Sequence, residues 1–341
     1  MVTGSRLIRP VLLFWLGLAT SAAAETPVGQ VERLDARLDG LIPRGAAFET
    51  VIEGHAWTEG PLWDRHDGSL LFSDVPRNAI FRFREGAGVA RLLSASGYSG
   101  SKAFAGREPG SNGLGFDPTD PERRLVVCQH GDRRVARLEA DGRFAALAER
   151  YDGRRLNSPN DLVFRRNGEL WFTDPPFGLP GGLGDPAKEL PYQGVYRLPP
   201  DGTLELATRD LEAPNGIGFS PDERTLYVSN AQHANPVWMA FPVHVDGSLG
   251  PGREFAEARA YVQEGEGVPD GLEVDADGNL FAAGPGGVHV FAADGTRLGR
   301  IVTGVPTGNV AFGGSDGSVL YVAANHGIAR IQTTTRGRGF E

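Results

Sequence analysis

Short apolar runs and single polar residues follow one another along this chain in a fixed order. A polar side chain opens each unit, a short apolar run follows, a turn reverses the chain, and a second apolar run returns. Six stretches share the order: TEGPLWDRHDGSLLFSD, SNGLGFDPTDPERRLVVCQH, PNDLVFRRNGELWFTD, PNGIGFSPDERTLYVSN, PDGLEVDADGNLFAAG and GNVAFGGSDGSVLYVAAN. The runs have strand length, and none of these stretches carries a helical period. A third run follows most of them, as in NAIFRF, GVYRLPPDG and GVHVFAADG. Asp67-Gly68, Asn167-Gly168, Asp277-Gly278 and Asp316-Gly317 sit between apolar runs, where tight hairpins need them. The opening polar residues are Glu59, Asn112, Asn160, Asn215, Asp270 and Asn309. Their spacing, about 40 to 55 residues, is that of a propeller blade. The pattern predicts an all-β fold, a six-bladed β-propeller with four-stranded antiparallel blades, over residues 45–332. The sixth unit shows only three runs. AAFETVIEG, just before the first unit, is therefore expected to supply the missing strand and close the ring. Residues 25–44 read as an N-terminal arm and 333–341 as a C-terminal tail.

In a propeller, residues at equal phase converge on the central channel. Each of the six phase residues offers a side-chain oxygen, and Glu59 and Asp270 carry charge. Turn chemistry accounts for a single Asn-Gly or Asp-Gly pair. It does not account for acceptors at every phase, nor for Glu at the first. A ring of oxygens with two carboxylates suits one hard divalent cation, Ca²⁺ first, with Mg²⁺, Mn²⁺ or Zn²⁺ as alternatives. Trp57 stands beside Glu59, where it can stack on a sugar ring or join the core. Asn309 is expected to face a substrate. The Gly/Pro-rich stretch from Asp174 to Gly194 is a candidate specificity loop. His233 and His326 follow second strands and read as loop histidines.

Composition narrows the class. The 341 residues include 48 Gly and 24 Pro, yet 40% are hydrophobic, which describes a core with very many turns. A formal net charge of −9 argues against a nucleic-acid partner. Residues 1–24 combine Arg6 and Arg9 with the run VLLFWLGLA and the small residues TSAAA. They read as a secretory signal cleaved after Ala24, which places the mature protein in the periplasm or outside the cell, free of the membrane. The single cysteine, Cys128, permits no internal disulfide and reads as a core residue. No HExxH pair is present, so no zinc-protease helix is indicated, and the GxSxG match GGSDG at Gly313–Gly317 falls in a turn between two strand-like runs rather than at a strand-to-helix elbow, so no serine nucleophile is indicated. A closed propeller leaves no free edges, so a monomer is expected.

TEGPLW, NSPNDLVF…LWFTDPPFGL, PNGIGFSPDERTLYVSN and VPDGLEVDADGNLFAAGPGGVHVF resemble, in order, the blade motifs of the gluconolactonase and regucalcin (senescence marker protein) family. The resemblance implies a metal-dependent lactonase acting on a small-molecule lactone such as gluconolactone. It implies metal ligands at Glu59, Asn160, Asn215 and Asp270, and a substrate contact at Asn112. Asp270 is implied as general base. VVCQHGDRRVARL is similar to a motif of the bacterial and fungal branch and sets His130 near the site, as the alternative base. The Arg that the animal branch carries ahead of its second-blade Asn is replaced here by Gly110 and Ser111. Two other readings stay open at this point: an arylesterase or phosphotriesterase at the same metal, and a propeller that only binds its ligand.

Overall fold

The computed structural model describes Met1 and residues 29–340, so the leader read over residues 1–24 lies, beyond Met1, outside the described residues. Among the described residues, no helix is long and apolar enough to cross a membrane.

Six antiparallel sheets form the blades. Blade 1 runs from Thr58–Asp64 through Ser69–Asp74 and Ala79–Arg84 to Gly88–Ser94. Blades 2, 3 and 4 open with Ser111–Phe116, Leu162–Phe164 and Pro214–Phe219. Blades 5 and 6 open with Leu272–Val274 and Thr307–Gly313. The opening strands touch one another in an unbroken circle and enclose the channel. The hairpin glycines sit where the sequence places them: φ is 85° at Gly168 and 87° at Gly278, a region closed to most side chains.

The core is divided into six clusters, one at each blade–blade interface. Successive residues of a strand point to opposite faces. Leu70 and Phe72 therefore pack on Ile52, Tyr321 and Ile328 of blade 6, while Leu71 packs on Leu114 and Val127 of blade 2. Both faces of a blade are covered, which is why SLLF, LVVC and LWF are continuous apolar runs. Each large side chain buried in this way stabilises the fold by about 1.5–3 kcal/mol.

Cys128 lies in the cluster between blades 2 and 3, against side chains such as Val126, Leu162 and Phe172, with no exposure. Burial raises its thiol well above the usual range. The folded protein is expected to leave a thiol reagent unreacted until denaturant is added. Native-state labelling at the rate of a free thiol would place Cys128 at the surface instead.

Phe48–Ile52 pairs antiparallel with Gly327–Gln332 and completes blade 6, closing the ring as expected. The arm does more than the sequence suggests. Val31–Arg33 adds a fifth strand outside Arg297–Val302 of blade 5, and Leu38 and Ile42 fill the core between blades 5 and 6. A three-residue edge strand is too short for its alternation to show in sequence. The segment after residue 332 is also tied down: Thr335 Oγ1 donates to Asp275 Oδ2 at 2.8 Å, and Gly337 bridges Asp275.

Candidate active site

The starts of the opening strands meet at one mouth of the channel, at the floor of a cavity of about 520 Å³. Glu59, Asn112, Asn160, Asn215 and Asp270 all line it, as does Trp57. The structure thus brings together five of the six phase residues.

Backbone and hydroxyl contacts set the ring. Gly60 has φ of 49°, and a Cβ there would stand 2.1 Å from the Asn112 carbonyl oxygen. Only glycine lets blades 1 and 2 approach so closely. Ser73 Oγ donates to the Asn112 carbonyl at 2.8 Å. Thr173 does the same to Asn215, and Ser229 to Asp270, each at 2.7 Å. A hydroxyl near the end of one blade's second strand thus holds the ring residue of the next blade. The recurring endings FSD, FTD and VSN carry this signal in the sequence, but a repeat defined by its opening residues does not single them out.

The amides form a chain. Asn112 Nδ2 donates to Asn160 Oδ1 at 3.0 Å, and Asn160 Nδ2 donates to Asn215 Oδ1 at 2.6 Å. Glu59 Oε1 accepts from the Trp57 indole N–H, and Oε2 from the Gly60 N–H, both at 3.2 Å. Trp57 therefore orients a carboxylate, a role its sequence position does not reveal.

The sixth position needs correction. Gly271 N–H donates to the Gly308 carbonyl at 2.7 Å as Gly113 N–H donates to that of the ring residue Asn160, so the ring residue of blade 6 is Gly308. Asn309 is one residue further on and faces away from the cavity that the other five line. Its Nδ2 lies 3.4 Å from Asp161 Oδ2, beside a smaller channel cavity of about 70 Å³. Matching polar residues alone ignores that a strand changes face at every residue.

His130 is near the ring, as expected, but fully buried. Its Nε2 is 3.0 Å from Asn160 Oδ1, and its Nδ1 is 3.1 Å from Glu108 Oε2. It does not line the cavity and reaches it only through these two neighbours. Glu108, partly exposed, does line the cavity. It sits in an irregular segment between blades 1 and 2, where no periodicity marks a residue.

The two asparagines of NSPN have separate tasks. Asn157 N–H and Ser158 N–H donate to the Asp174 carboxylate at 2.8 and 2.9 Å, and Ser158 Oγ accepts from Gly178 N–H at 2.9 Å. These bonds fasten the start of the loop after Asp174. Phe177, Leu179 and Leu183 of that loop give the cavity apolar lining, and Glu212 and Gln232 line it as well. His233 lines the cavity as well. His326 does not; its Nδ1 lies 2.8 Å from the Ala56 carbonyl oxygen.

Burial dominates the electrostatics. It lifts Glu59 to about 8, with Asp161 and Glu108 adding to the rise. It lifts Asp270 well above the carboxylate range, helped by Glu59, Asp161 and Glu108. No cationic side chain offsets either group among the described residues. No group of three or more His, Cys, Asp or Glu that could hold a metal occurs among the described residues, so any ion must also take amide oxygens. The ring meets that demand. Its donors are all oxygens, its two carboxylates lack counter-charge, and Asn112 Oδ1 is buried with no hydrogen-bond partner. This donor set fits an oxygen-ligated divalent cation.

The family described as SMP-30/gluconolactonase/LRE-like region matches residues 57–326. A gluconolactonase of Zymomonas mobilis is 38% identical over 317 residues, covering 91% of this chain and 88% of that protein. A pentonolactonase of Haloferax volcanii is 31% identical, covering 79% of this chain and 81% of the other. The solved structure of a gluconolactonase from Xanthomonas campestris superimposes with a TM-score of 0.76 at 35% identity, over 92% of this chain and 99% of that one.

Proposed function

This chain belongs to the SMP-30/gluconolactonase/LRE-like family, and from the ring at its channel mouth we propose that it opens a sugar lactone, glucono-1,5-lactone being the type substrate, with a divalent cation, calcium, held by Glu59, Asn160, Asn215 and Asp270. The lactonase names of its relatives support the reaction class. One observation carries the cation: two buried carboxylates without counter-charge, Glu59 and Asp270, share a cavity floor with the amide side chains of Asn160 and Asn215.

Bound there, the cation would supply Lewis-acid polarisation of the lactone carbonyl. The remaining work belongs to the protein. Asp270 takes a proton from the attacking water and returns it to the ring oxygen as the ester bond breaks. Burial and the neighbouring Glu59 raise its proton affinity, a bound cation lowers it, and Asp270 therefore serves as base through a carboxylate oxygen left free of the cation. His130 is walled off behind Asn160 and Glu108, so we assign it the task of holding Asn160 through its Nε2. Asn112 lines the cavity with one carbonyl lone-pair set unused and so orients the substrate. The wall of Phe177, Leu179 and Leu183 keeps bulk water from the side of the lactone it covers. Export to the periplasm is part of the reading and rests on residues 1–24.

The test is hydrolysis of glucono-1,5-lactone, followed by acid release, before and after chelation and with Ca²⁺ restored. Activity is expected to vanish with chelator and return with the ion. Undiminished turnover after exhaustive chelation would remove the cation from the reading. No turnover in the calcium-loaded protein would remove the sugar lactone and direct the assay to aryl esters and phosphotriesters.

A further inference from the structure

The ring position in blade 6 has no side chain, and the Glu59 carboxylate uses the space. A Cβ on Gly308 would lie 2.5 Å from Glu59 Oε1 and 3.0 Å from its Cδ. The Gly308 backbone is not among the positive-φ residues, so local conformation does not demand glycine there. The demand comes from the neighbour. Across the carboxylate, the Trp57 indole N–H donates to the same Oε1 at 3.2 Å.

We propose that Gly308 and Trp57 are paired positioning residues that fix the Glu59 carboxylate at the cation site: the indole holds Oε1, and the missing side chain leaves it room. The proposal rests on the reading of the ring as a cation site. It explains why acceptors fill five phases and stop at the sixth. A sixth oxygen-bearing side chain would displace a ligand rather than add one. The side chain that must yield is the end of a flexible glutamate, so an added methyl moves the carboxylate before it disturbs the blades. Its effect should therefore appear in cation affinity and not in the fold.

Metal-free wild type, Gly308→Ala, Glu59→Asp and the double variant are titrated with CaCl₂, reading binding heat and the rise in Tm. Gly308→Ala is expected to weaken binding about tenfold or more in the wild-type background, the usual cost of losing a residue that orients a ligand. In the Glu59→Asp background the carboxylate stops one methylene short of Gly308. There the same replacement is expected to change affinity by no more than about twofold. An equal loss in both backgrounds would show that alanine disturbs the strand, and would overturn the proposal; so would no loss in either. Trp57→Phe removes the indole donor without crowding Gly308. It is expected to weaken binding about tenfold, and it tests the pair even if Gly308→Ala fails to fold: unchanged affinity in Trp57→Phe would then overturn the proposal. A wild-type protein that binds no Ca²⁺ would overturn the cation reading itself, and that failure appears before any variant is compared.

Discussion

Asp270→Asn is expected to lower kcat for glucono-1,5-lactone by about 10³-fold or more at saturating cation. Asparagine keeps the size of the side chain and one acceptor oxygen, but loses the charge and the ability to take a proton. The fold should survive, because Asp270 is held through its main chain: its carbonyl accepts from Ser229 Oγ, and its N–H donates to the Ala283 carbonyl oxygen. Removing one of two buried like charges should even relieve repulsion with Glu59. The measurement is steady-state kinetics over a range of Ca²⁺, with thermal melting as the control for folding. A variant with weakened cation affinity but near-normal kcat at saturation would make Asp270 a ligand only and return the proton transfer to another group. A protein that merely binds its ligand would show no kcat to lose.

The second large effect is on stability. Without a cation, the folded protein should lose stability as pH rises from about 5 to 8. The direction follows from linkage. Glu59 sits at about 8 in the folded state against an ordinary value of 4.5, chiefly because it is buried. Asp161 and Glu273 are each raised by burial to about 7. Between the unfolded and folded values, the folded state holds more protons, so each increment of pH favours unfolding. One group works against this: His289, held by burial at about 3 against an ordinary 6.5, gains stability with pH up to about 6.5 and offsets part of one raised acid. Burial pushes Glu169 up, but bonds from Arg197, Arg165 and Asn167 outweigh it and hold the group at about 2. Its stabilising contribution is lost only below the unfolded value, under the range tested. One pKa unit corresponds to about 1.4 kcal/mol, so several raised acids should lower Tm by roughly 5–10 °C across the interval. A bound divalent ion stabilises the ionised carboxylates and should flatten or reverse the slope. Calorimetric scans at three pH values, with chelator and with excess Ca²⁺, decide the matter. A chelated protein whose Tm stays level or rises from pH 5 to 8 would mean that these carboxyls are not held protonated in the folded state.

The blades are legible because each satisfies a local rule repeated along the chain. An apolar run, an Asp-Gly or Asn-Gly turn and a second run are enough to specify a hairpin, and six of them at blade spacing specify a ring. Four ring acceptors are also legible from phase alone: Glu59, Asn112, Asn215 and Asp270 each stand one residue before a glycine. Asn160 keeps the same phase with Asp161 in the place of that glycine. Phase fails where it depends on counting to a single residue. Gly308 and Asn309 differ by one position, one strand face and one side of the ring, and the bond from Gly271 N–H to the Gly308 carbonyl distinguishes them.

Other parts of the site are absent from the local pattern. Glu108 comes from an irregular segment and meets His130 only once blade 2 has folded. The Trp57 indole could as well have entered the core; its bond to Glu59 depends on where the first strand of blade 1 begins. The arm gains its place because blade 5 leaves an edge that Val31–Arg33 can pair with. What the sequence determined by itself is the set of short-range choices: strand, turn, six repeats, and oxygen-bearing residues at the channel mouth. Tertiary structure alone decided which side chains share a buried floor without counter-charge, because burial and the distance between carboxylates of different blades exist only after the ring has closed.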